Sequence, residues 1–208
     1  MTITEAVRGP VPHSPGAPVV VMLHGYGSHE RDLAGLSPWL PDGTPWVALR
    51  APGSTGFGGF EWYPIALPDE PTGEGSQAAV ADIWEWVDRE LGPDASVIPL
   101  GFSQGGMMAI EMLRSRPARV RATVMLAGFV TEAGAAADAA VAADRPRVFW
   151  GRGLSDQVIW KAAVERTDRW LTAHTRLTRR EYPGLAHGVD AAEMEDVRTF
   201  LREVLSGD

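Results

Sequence analysis

The segment Gly101-Phe102-Ser103-Gln104-Gly105 holds a serine with one glycine two residues before it and another two residues after it. This G-x-S-x-G spacing is typical of a sharp turn between a strand and a helix, where the serine is exposed in strained backbone angles and can attack a carbonyl carbon. Glycines are needed because the strand and the helix nearly touch at such a turn. An ordinary glycine-rich turn is the alternative, since the chain contains 23 glycines.

A serine hydroxyl is a poor nucleophile at neutral pH and needs a base, normally histidine, which in turn needs a carboxylate to hold its tautomer. Of the two histidines after Ser103, His174 falls in a predicted helix, where a surface histidine is the simpler interpretation. His187 falls in a loop after the last predicted strand. Asp156 directly follows the predicted strand 147–150, although an aspartate there could simply cap the next helix. Ser103, Asp156 and His187 come in the order nucleophile, acid and base, each at the end of a strand, and we predict those roles for them.

The tetrahedral intermediate of acyl transfer needs two hydrogen-bond donors for its oxyanion. One is expected from the backbone N–H of Gln104, the residue after the nucleophile. The other is expected from the loop after an early strand, and His24-Gly25-Tyr26-Gly27 is that loop, with glycines that let the backbone turn close to a substrate. We predict the N–H of Tyr26 as the second donor, with a plain glycine turn as the alternative.

The elements that must position these residues alternate along the chain between short apolar runs and amphipathic stretches. This alternation predicts an α/β fold with a mostly parallel central sheet. Pro99 is expected to be a local irregularity, because a central strand loses a ladder hydrogen bond at proline. Strands are predicted at 19–23, 46–49, 97–100, 122–127 and 147–150, with edge strands at 177–182 and around 2–7, and helices over 30–40, 77–91, 104–113, 157–174 and 191–205.

No internal repeat or domain boundary is visible, so residues 1–208 are predicted to form one domain with 1–17 as an irregular N-terminal arm. The segment 52–71 is a long loop rich in glycine, proline and aromatic residues. Loops of this length in a compact domain are usually functional or disordered, and the aromatic residues argue against disorder. The segment 131–144 is rich in alanine and is predicted to be a mobile helix or loop.

Composition excludes several classes of function. The chain has no cysteine, which excludes disulfides, thiolate metal sites and a cysteine nucleophile. Its formal net charge is −8 and it contains no run of lysines or arginines, so nucleic-acid binding is not expected. No window approaches eighteen consecutive apolar residues, and residues 1–16 lack the pattern of a secretory signal, so no membrane span and a soluble, cytoplasmic protein are expected.

Six short motifs together resemble the phospholipase/carboxylesterase family of α/β-hydrolases, which includes acyl-protein thioesterases and small bacterial carboxylesterases. The resemblance implies an α/β-hydrolase fold with helices on both faces of the sheet and no large lid domain. It implies a triad of Ser103, Asp156 and His187 with oxyanion donors at Tyr26 and Gln104, no metal and no organic cofactor. The motifs are Leu23-His24-Gly25-Tyr26-Gly27, Arg50-Ala51-Pro52, Trp62-Tyr63, Gly101-Phe102-Ser103-Gln104-Gly105-Gly106, Gly153-Leu154-Ser155-Asp156-Gln157-Val158-Ile159 and Ala186-His187-Gly188.

Two departures from the family concern the acid turn: Arg152-Gly153 stands where the family often has His-Gly, and Gln157 where it often has proline. They leave the triad assignment unchanged and the shape of the acyl pocket open. Trp62 matches a tryptophan that the family carries near its site, so we predict it as a substrate-binding pocket wall. Packing of the loop onto the body of the protein is the alternative for Trp62 and for its aromatic neighbours Phe60 and Tyr63.

These observations predict a serine hydrolase that cleaves carboxylic esters or thioesters with an apolar acyl part through an acyl-enzyme. A lysophospholipase, acyltransferase or perhydrolase would use the same site with another substrate or acceptor. A catalytically idle binding protein is the alternative of a different class, although idle relatives usually lose one triad member. The expected partner is a small-molecule acyl ester or thioester, and an exposed apolar face on the loop or the alanine-rich segment leaves a homodimer open.

Overall fold

The computed structural model describes residues 2–14, 16–56, 58–65, 73–132 and 135–207. Over these residues the strands are β1 (Ala6–Arg8), β2 (Val19–Leu23), β3 (Trp46–Leu49), β4 (Gly53–Ser54), β5 (Phe60–Glu61), β6 (Val97–Phe102), β7 (Thr123–Leu126), β8 (Arg147–Gly153) and β9 (Arg176–Tyr182). The α-helices are α1 (Glu30–Ala34), α2 (Ser76–Glu90), α3 (Gln104–Ser115), α4 (Asp138–Asp144), α5 (Lys161–His174) and α6 (Ala191–Ser206).

Seven of these strands form one sheet in the order β1-β3-β2-β6-β7-β8-β9. Strands β3, β2, β6, β7, β8 and β9 all run parallel, and β1 pairs antiparallel with β3 at one edge. The prediction of a mostly parallel α/β sheet is therefore confirmed, with the charged strand β9 at the opposite edge. The carboxyl ends of the parallel strands all meet at one side of the sheet, where ligands of such folds bind.

Both faces of the sheet are covered by helices, as predicted. Buried side chains of α2, α3 and α5 pack on one face, and those of α1 and α6 pack on the other. The sequence of β2 is apolar throughout because both of its faces are buried. Val19, Val21 and Leu23 pack in the layer of α2, α3 and α5, and Val20 and Met22 pack in the layer of α1 and α6. No large lid domain is evident in the part of the chain that the structure describes.

The helix predicted over 30–40 is wrong in its second half. It ends as α1 at Ala34, and a 3₁₀ turn follows at Ser37–Trp39. Pro38 explains the break, because proline has no N–H to continue an α-helix and disfavours the helical conformation of the residue before it. The chain after the break is kept close to the sheet, since Arg198 of α6 donates hydrogen bonds to the carbonyl oxygens of Pro38 (2.8 Å) and Trp39 (3.0 Å).

The helix predicted from residue 157 begins later, at Lys161. The side chain of Asp156 accepts hydrogen bonds from the N–H groups of Val158 (2.8 Å) and Ile159 (3.2 Å), which folds these residues into a turn ahead of the helix. Strand β8 in turn runs to Gly153, three residues beyond its predicted end. Both differences concern the segment that carries Asp156.

The two segments predicted as loops contain short elements. The segment 52–71 holds the hairpin of β4 and β5, and its residues 57 and 66–71 lie outside the described part. The alanine-rich segment 131–144 holds a 3₁₀ turn at Ala135–Ala137 and α4, and its residues 133–134 lie outside the described part. The predicted irregular arm, of which residues 1 and 15 are not described, contributes β1 to the edge of the sheet.

Candidate active site

The turn between β6 and α3 has the backbone that its sequence predicts. Ser103 has φ 54° and ψ −116°, a positive φ that side-chain-bearing residues rarely adopt. A Cβ on Gly101 would lie 2.0 Å from the carbonyl oxygen of Gly105, and a Cβ on Gly105 would lie 1.9 Å from that of Leu23. Both positions therefore require glycine, because the elbow is pressed between its own helix and the end of β2.

The structure brings the three predicted catalytic side chains into one hydrogen-bonded row. His187 Nε2 lies 3.0 Å from Ser103 Oγ, and His187 Nδ1 lies 2.8 Å from Asp156 Oδ2. An ionised carboxylate can only accept, so Nδ1 carries the ring proton and Nε2 is left free to accept the serine O–H. The Asp156 side chain is 3% exposed and that of His187 is 18% exposed. Such a row can pass the hydroxyl proton of Ser103 to His187.

The acid and the base are held together by the ends of β8 and β9. The two strands pair in parallel as far as Gly153 and Tyr182. Beyond that pair, the N–H of Leu154 donates to the carbonyl oxygen of Tyr182 (3.0 Å), and the N–H of Ser155 donates to that of Leu185 (2.9 Å). A Cβ on Gly153 would lie 2.0 Å from the Leu185 carbonyl oxygen, so the Asp156 turn and the His187 loop touch directly.

The predicted oxyanion donors lie on either side of the elbow. Gln104 is the first residue of α3, so its N–H has no acceptor within the helix and is available to an anion. The loop that carries Tyr26 passes against the serine, since a Cβ on Gly25 would lie 3.1 Å from the Phe102 ring and 3.4 Å from Ser103 Cβ. The assignment of the two N–H groups to an oxyanion stays a prediction.

The short hairpin of β4 and β5 supports the Tyr26 loop from outside. The N–H of Gly27 donates to the carbonyl oxygen of Phe60, and the N–H of Phe60 donates to that of Ser28, both at 2.9 Å. A Cβ on Gly59 would lie only 1.8 Å from the Gly27 carbonyl oxygen, so the two segments are in backbone contact. This support was not predicted, because a pair of two-residue strands has almost no periodicity to detect.

His24 fixes the same loop from inside. Its ring is fully buried; Nε2 accepts the N–H of Ala51 (3.0 Å), and Nδ1 therefore donates to the carbonyl oxygen of Gly25 (2.8 Å). Burial lowers the pKa of His24, which favours this neutral tautomer. A protonated ring would carry a hydrogen on Nε2 and could no longer accept the N–H of Ala51. The loop therefore keeps this hydrogen bond only while His24 is neutral.

Trp62 packs against His24. Its indole N–H donates to the His24 carbonyl oxygen (2.8 Å), the two ring centroids are 5.3 Å apart, and Trp62 is 4% exposed. These contacts fasten the 60–65 segment to the body of the protein. The predicted role of Trp62 as a wall of the substrate pocket stays a prediction, and Tyr63, also 4% exposed, packs in the same layer.

The side chain of Gln104 is a part of the site that sequence reasoning missed. Its amide is 1% exposed; Oε1 accepts the N–H of Trp62 (3.1 Å) and Nε2 donates to the carbonyl oxygen of Tyr63 (2.7 Å). The residue that supplies a predicted oxyanion N–H from its backbone thus anchors the neighbouring loop with its side chain. The available signal was a polar residue at the start of a helix that is largely apolar.

Within the described ranges, no group of three or more His, Asp or Glu side chains is arranged to hold a metal ion. No helix in these ranges is both long enough and apolar enough to cross a membrane.

Comparison with known proteins places the chain among esterases. The sequence model of the family described as Phospholipase/Carboxylesterase matches residues 8–205. The pimeloyl-[acyl-carrier protein] methyl ester esterase of Methylococcus capsulatus is 28% identical over 208 residues, which cover 90% of this chain and 72% of that protein. Acyl-protein thioesterase 1 of Cryptococcus neoformans is 23% identical over 219 residues, covering 89% of this chain and 92% of that protein.

Solved structures with a similar fold include an esterase and an acyl-protein thioesterase. Esterase PE8 superposes with a TM-score of 0.79 at 26% identity, covering 99% of this chain and all of its own. The acyl-protein thioesterase 2 of Zea mays superposes with a TM-score of 0.72 at 22% identity, over 99% of this chain and 100% of its own, and at that identity it supports the fold alone.

Proposed function

Because the chain belongs to the phospholipase/carboxylesterase family of hydrolases, we propose that it cleaves carboxylic esters or thioesters through an acyl-enzyme formed on Ser103. His187 acts as the base and acid, and Asp156 holds the ring of His187 in its working tautomer. The N–H groups of Tyr26 and Gln104 bind the oxyanion. Ester and thioester substrates both suit this site, since both form the same tetrahedral oxyanion.

In the first half of the reaction, Ser103 Oγ forms a bond to the carbonyl carbon while its proton moves to His187 Nε2. The carbonyl oxygen becomes an oxyanion held by the N–H groups of Tyr26 and Gln104. The bond between the carbonyl carbon and the leaving oxygen or sulfur then breaks. His187 gives its proton to the leaving group, which departs as a neutral alcohol or thiol and leaves the acyl group on Ser103.

In the second half, a water molecule takes the place of the leaving group. His187 accepts a proton from the water as its oxygen bonds to the acyl carbon, and the oxyanion forms again at the same two donors. The bond to Ser103 breaks, His187 returns the proton to Ser103 Oγ, and the carboxylic acid is released. No step requires a further co-reactant.

The observation that carries the proposal is the row from Ser103 Oγ through His187 (3.0 Å) to Asp156 (2.8 Å), which starts at a serine held at positive φ. Each member has the partner its role requires, and the positive φ of Ser103 is the kind of strained conformation that functional sites often hold. The apolar acyl part stays a proposal that draws on the family, whose relatives named above are a pimeloyl-[acyl-carrier protein] methyl ester esterase and an acyl-protein thioesterase.

Substitution of the nucleophile tests the proposal. Ser103→Ala is expected to abolish hydrolysis of p-nitrophenyl acetate and labelling by a fluorophosphonate probe, because it removes the hydroxyl that pairs with His187 and forms the acyl-enzyme. Ser206→Ala, at the exposed end of α6, is the matched control and should retain both. Undiminished turnover in folded Ser103→Ala protein would contradict the assignment.

A further inference from the structure

A groove runs beside the catalytic row, on the side of the sheet covered by α1 and α6. It has a volume of about 330 Å³, which lies at the small end of the range for small-molecule sites (roughly 300–1,000 Å³). One wall belongs to α1 and the turn after it, and the other belongs to the His187 loop. The residues that line it are Asp32, Leu33, Leu36, Phe102, His187, Gly188 and Val189.

The position of His187 decides which part of an ester faces this groove. In the first half of the reaction His187 Nε2 must protonate the leaving oxygen, which therefore lies within hydrogen-bond distance of that atom. The rest of the leaving group extends from this oxygen along the surroundings of His187. The groove is lined by His187 and by the two residues after it, whereas neither predicted oxyanion donor, Tyr26 or Gln104, lines it.

Phe102 extends this wall toward the serine. Its ring centroid is 4.9 Å from that of His187, and the residue precedes Ser103 in the chain. Phe102 packs with the residues of the α1 and α6 layer, whereas Trp62 and Tyr63 pack in the layer on the other face of the sheet. The groove and the Trp62 segment therefore lie on different sides of the elbow.

The polarity and charge of the lining residues indicate which kind of leaving group the groove favours. Leu33, Leu36, Phe102 and Val189 present apolar surface, which favours an alkyl or aryl group. Among the described lining residues other than His187, Asp32 is the one with a formal charge; it is exposed, and Oδ2 accepts the hydroxyl of Ser28 at 2.6 Å. A carboxylate there repels an anionic group, in a protein whose net charge is already −8.

We propose that this groove is the leaving-group subsite and that it accepts an uncharged alcohol with a short apolar chain in preference to a phosphate-bearing or otherwise anionic one. The inference rests on the proposed function, because it assigns the groove through the proton that His187 delivers. A thiol of the same shape would fit the same surface, and the experiment separates the two.

The first arm of the test varies the size of the alcohol with the acyl part held constant. The value of kcat/KM is measured for methyl acetate, butyl acetate and S-butyl thioacetate, since kcat/KM reports the steps up to departure of the leaving group. The native enzyme should prefer butyl to methyl acetate by about tenfold or more, in line with several buried methylenes in an apolar pocket. S-butyl thioacetate is measured alongside, and the loss of its kcat/KM in the groove-filling variant below, compared with the loss for butyl acetate, shows whether a thiol occupies the groove as well.

Filling the groove should remove that preference. Leu36→Trp is expected to lower the butyl-to-methyl ratio about tenfold. Leu205→Trp places the same residue at a partly buried leucine near the far end of α6 and should leave the ratio at its native value. The proposal would be overturned if the butyl-to-methyl ratio is unchanged in Leu36→Trp protein that has the melting temperature of the native chain. It would also be overturned if Leu36→Trp changes the ratio of kcat/KM between ethyl hexanoate and ethyl acetate, which differ in the acyl chain, instead of the butyl-to-methyl ratio.

The second arm varies charge and uses an exposed position at which folding is not at stake. The anionic 4-acetoxybenzoate is compared with the neutral 4-acetoxybenzamide, which has a similar leaving group. Asp32→Lys should raise the preference for the anionic ester by about tenfold, the effect of roughly 1.4 kcal/mol of Coulomb energy. Asp42→Lys makes the same change of charge in the turn before β3, at the other end of the sheet, and should raise it much less. Equal effects of the two variants would overturn the charge selection.

Failure of this inference and failure of the proposed function give different results. If ester turnover does not depend on Ser103, the proposed function itself is wrong. If turnover depends on Ser103 but neither ratio responds to Leu36→Trp or Asp32→Lys, only the subsite assignment is wrong.

Discussion

At the scale of single residues, Asp156 uses its two carboxylate oxygens for different purposes. Oδ2 faces His187, and Oδ1 accepts the N–H groups of Val158 and Ile159. Asparagine can keep the second interaction through its carbonyl oxygen while turning its NH₂ group toward His187 Nδ1. That ring nitrogen would then have to accept, which moves the proton to Nε2 and blocks the base.

We therefore expect Asp156→Asn to lower kcat by about 10⁴-fold with little effect on folding. Steady-state kinetics with p-nitrophenyl acetate measures the first quantity, and thermal unfolding followed by circular dichroism measures the second. A loss of less than about tenfold in kcat would show that Asp156 does not set the tautomer of His187.

Gln104 offers a second prediction, because its amide needs both an acceptor and a donor. In Gln104→Glu, the ionised carboxylate can still accept from Trp62 N–H but faces the Tyr63 carbonyl oxygen, and this clash in a buried place costs about 1–3 kcal/mol. Protonation restores a donor, so the kcat of the variant relative to native enzyme at the same pH should rise as the pH falls.

Gln104→Met supplies the control, because its side chain has no group that titrates. Its activity relative to native enzyme should be reduced and independent of pH. If the two variants show the same pH profile, the side chain of Gln104 does not position the loop of Trp62 through its hydrogen bonds.

The order and the turns of Ser103, Asp156 and His187 were readable from the sequence because each lies next to a strand of recognisable pattern. The structure places all three together, at the distances that the hypothesis requires. The interactions of Gln104 and His24 were not readable, because their partners lie on segments that are distant in sequence. Nothing local to Gln104 indicates that Trp62, 42 residues earlier, will offer it an N–H.

At the scale of elements, Pro99 shows how a central strand tolerates proline. β6 first pairs with the segment that leads into β7, at a bridge between Val97 and Val120. The regular pairing begins at Leu100 and Val124. Between these two pairs β6 advances by three residues and its partner by four, so the partner contains one extra residue. The carbonyl oxygen of Val97 accepts the N–H of Arg121, so the backbone of Val97 faces the β7 side. Alternate residues of a strand face the same neighbour, so Pro99 faces that side too. The N–H that proline lacks would therefore point to the place where the pairing with β7 is interrupted. The ladder with β2, on the other side, continues past Pro99.

The hairpin of β4 and β5 leads to a prediction about activity. Gly59→Ala would place a methyl group 1.8 Å from the Gly27 carbonyl oxygen, so the hairpin must move away and its two hydrogen bonds to the 27–28 segment must lengthen or break. The Tyr26 loop would lose its outer support, and we expect kcat to fall by about 10²-fold, comparable to loss of one oxyanion donor.

Ser54→Ala is the matched control for Gly59→Ala. It lies in the same hairpin and removes an exposed hydroxyl without moving the backbone, so kcat should stay within about twofold of native. Full activity of Gly59→Ala protein would mean that the Tyr26 loop keeps its shape without the hairpin.

At the scale of the whole molecule, the fold class was predictable because each layer leaves a local signal. Strand β2 is apolar at every position since both of its faces are buried, and α2 carries one apolar stripe since it packs on one side only. The ends of elements were less predictable where a side chain of the site bonds to the backbone. Asp156 accepts the N–H groups of Val158 and Ile159, and α5 begins only after this turn. Burial of an ionisable residue such as Glu193 was not predictable, because the strand that covers it, β8, lies about forty residues away in the sequence.

Glu193 makes the stability of the whole molecule depend on pH. It lies in the first turn of α6, is 0% exposed and is pressed against β8, where a Cβ on Gly151 would lie 2.1 Å from Oε1. Neither carboxylate oxygen has a hydrogen-bond partner among the described residues. Burial, followed by the charges of Asp190 and Asp196, raises the pKa of Glu193 from 4.5 to about 8.

The sign of the effect follows from which state binds the proton. Between the ordinary pKa of 4.5 and the folded pKa of about 8, the folded state keeps the Glu193 proton and the unfolded state releases it. The free energy of unfolding therefore falls as the pH rises through this window, by about 1.4 kcal/mol per unit of pKa shift and so by a few kcal/mol in all. This contribution is fully present only below the lower pKa.

Glu193→Gln should remove that pH dependence, because glutamine stays neutral throughout and has nearly the same shape. Chemical unfolding at about pH 5 and about pH 8 is expected to show native protein losing a few kcal/mol more than the variant between the two conditions. Glu195→Gln, on the exposed side of the same helix, removes the same formal charge and should lose as much as native protein. If Glu193→Gln and native protein lose stability equally, folding does not raise the pKa of Glu193 and the prediction is wrong.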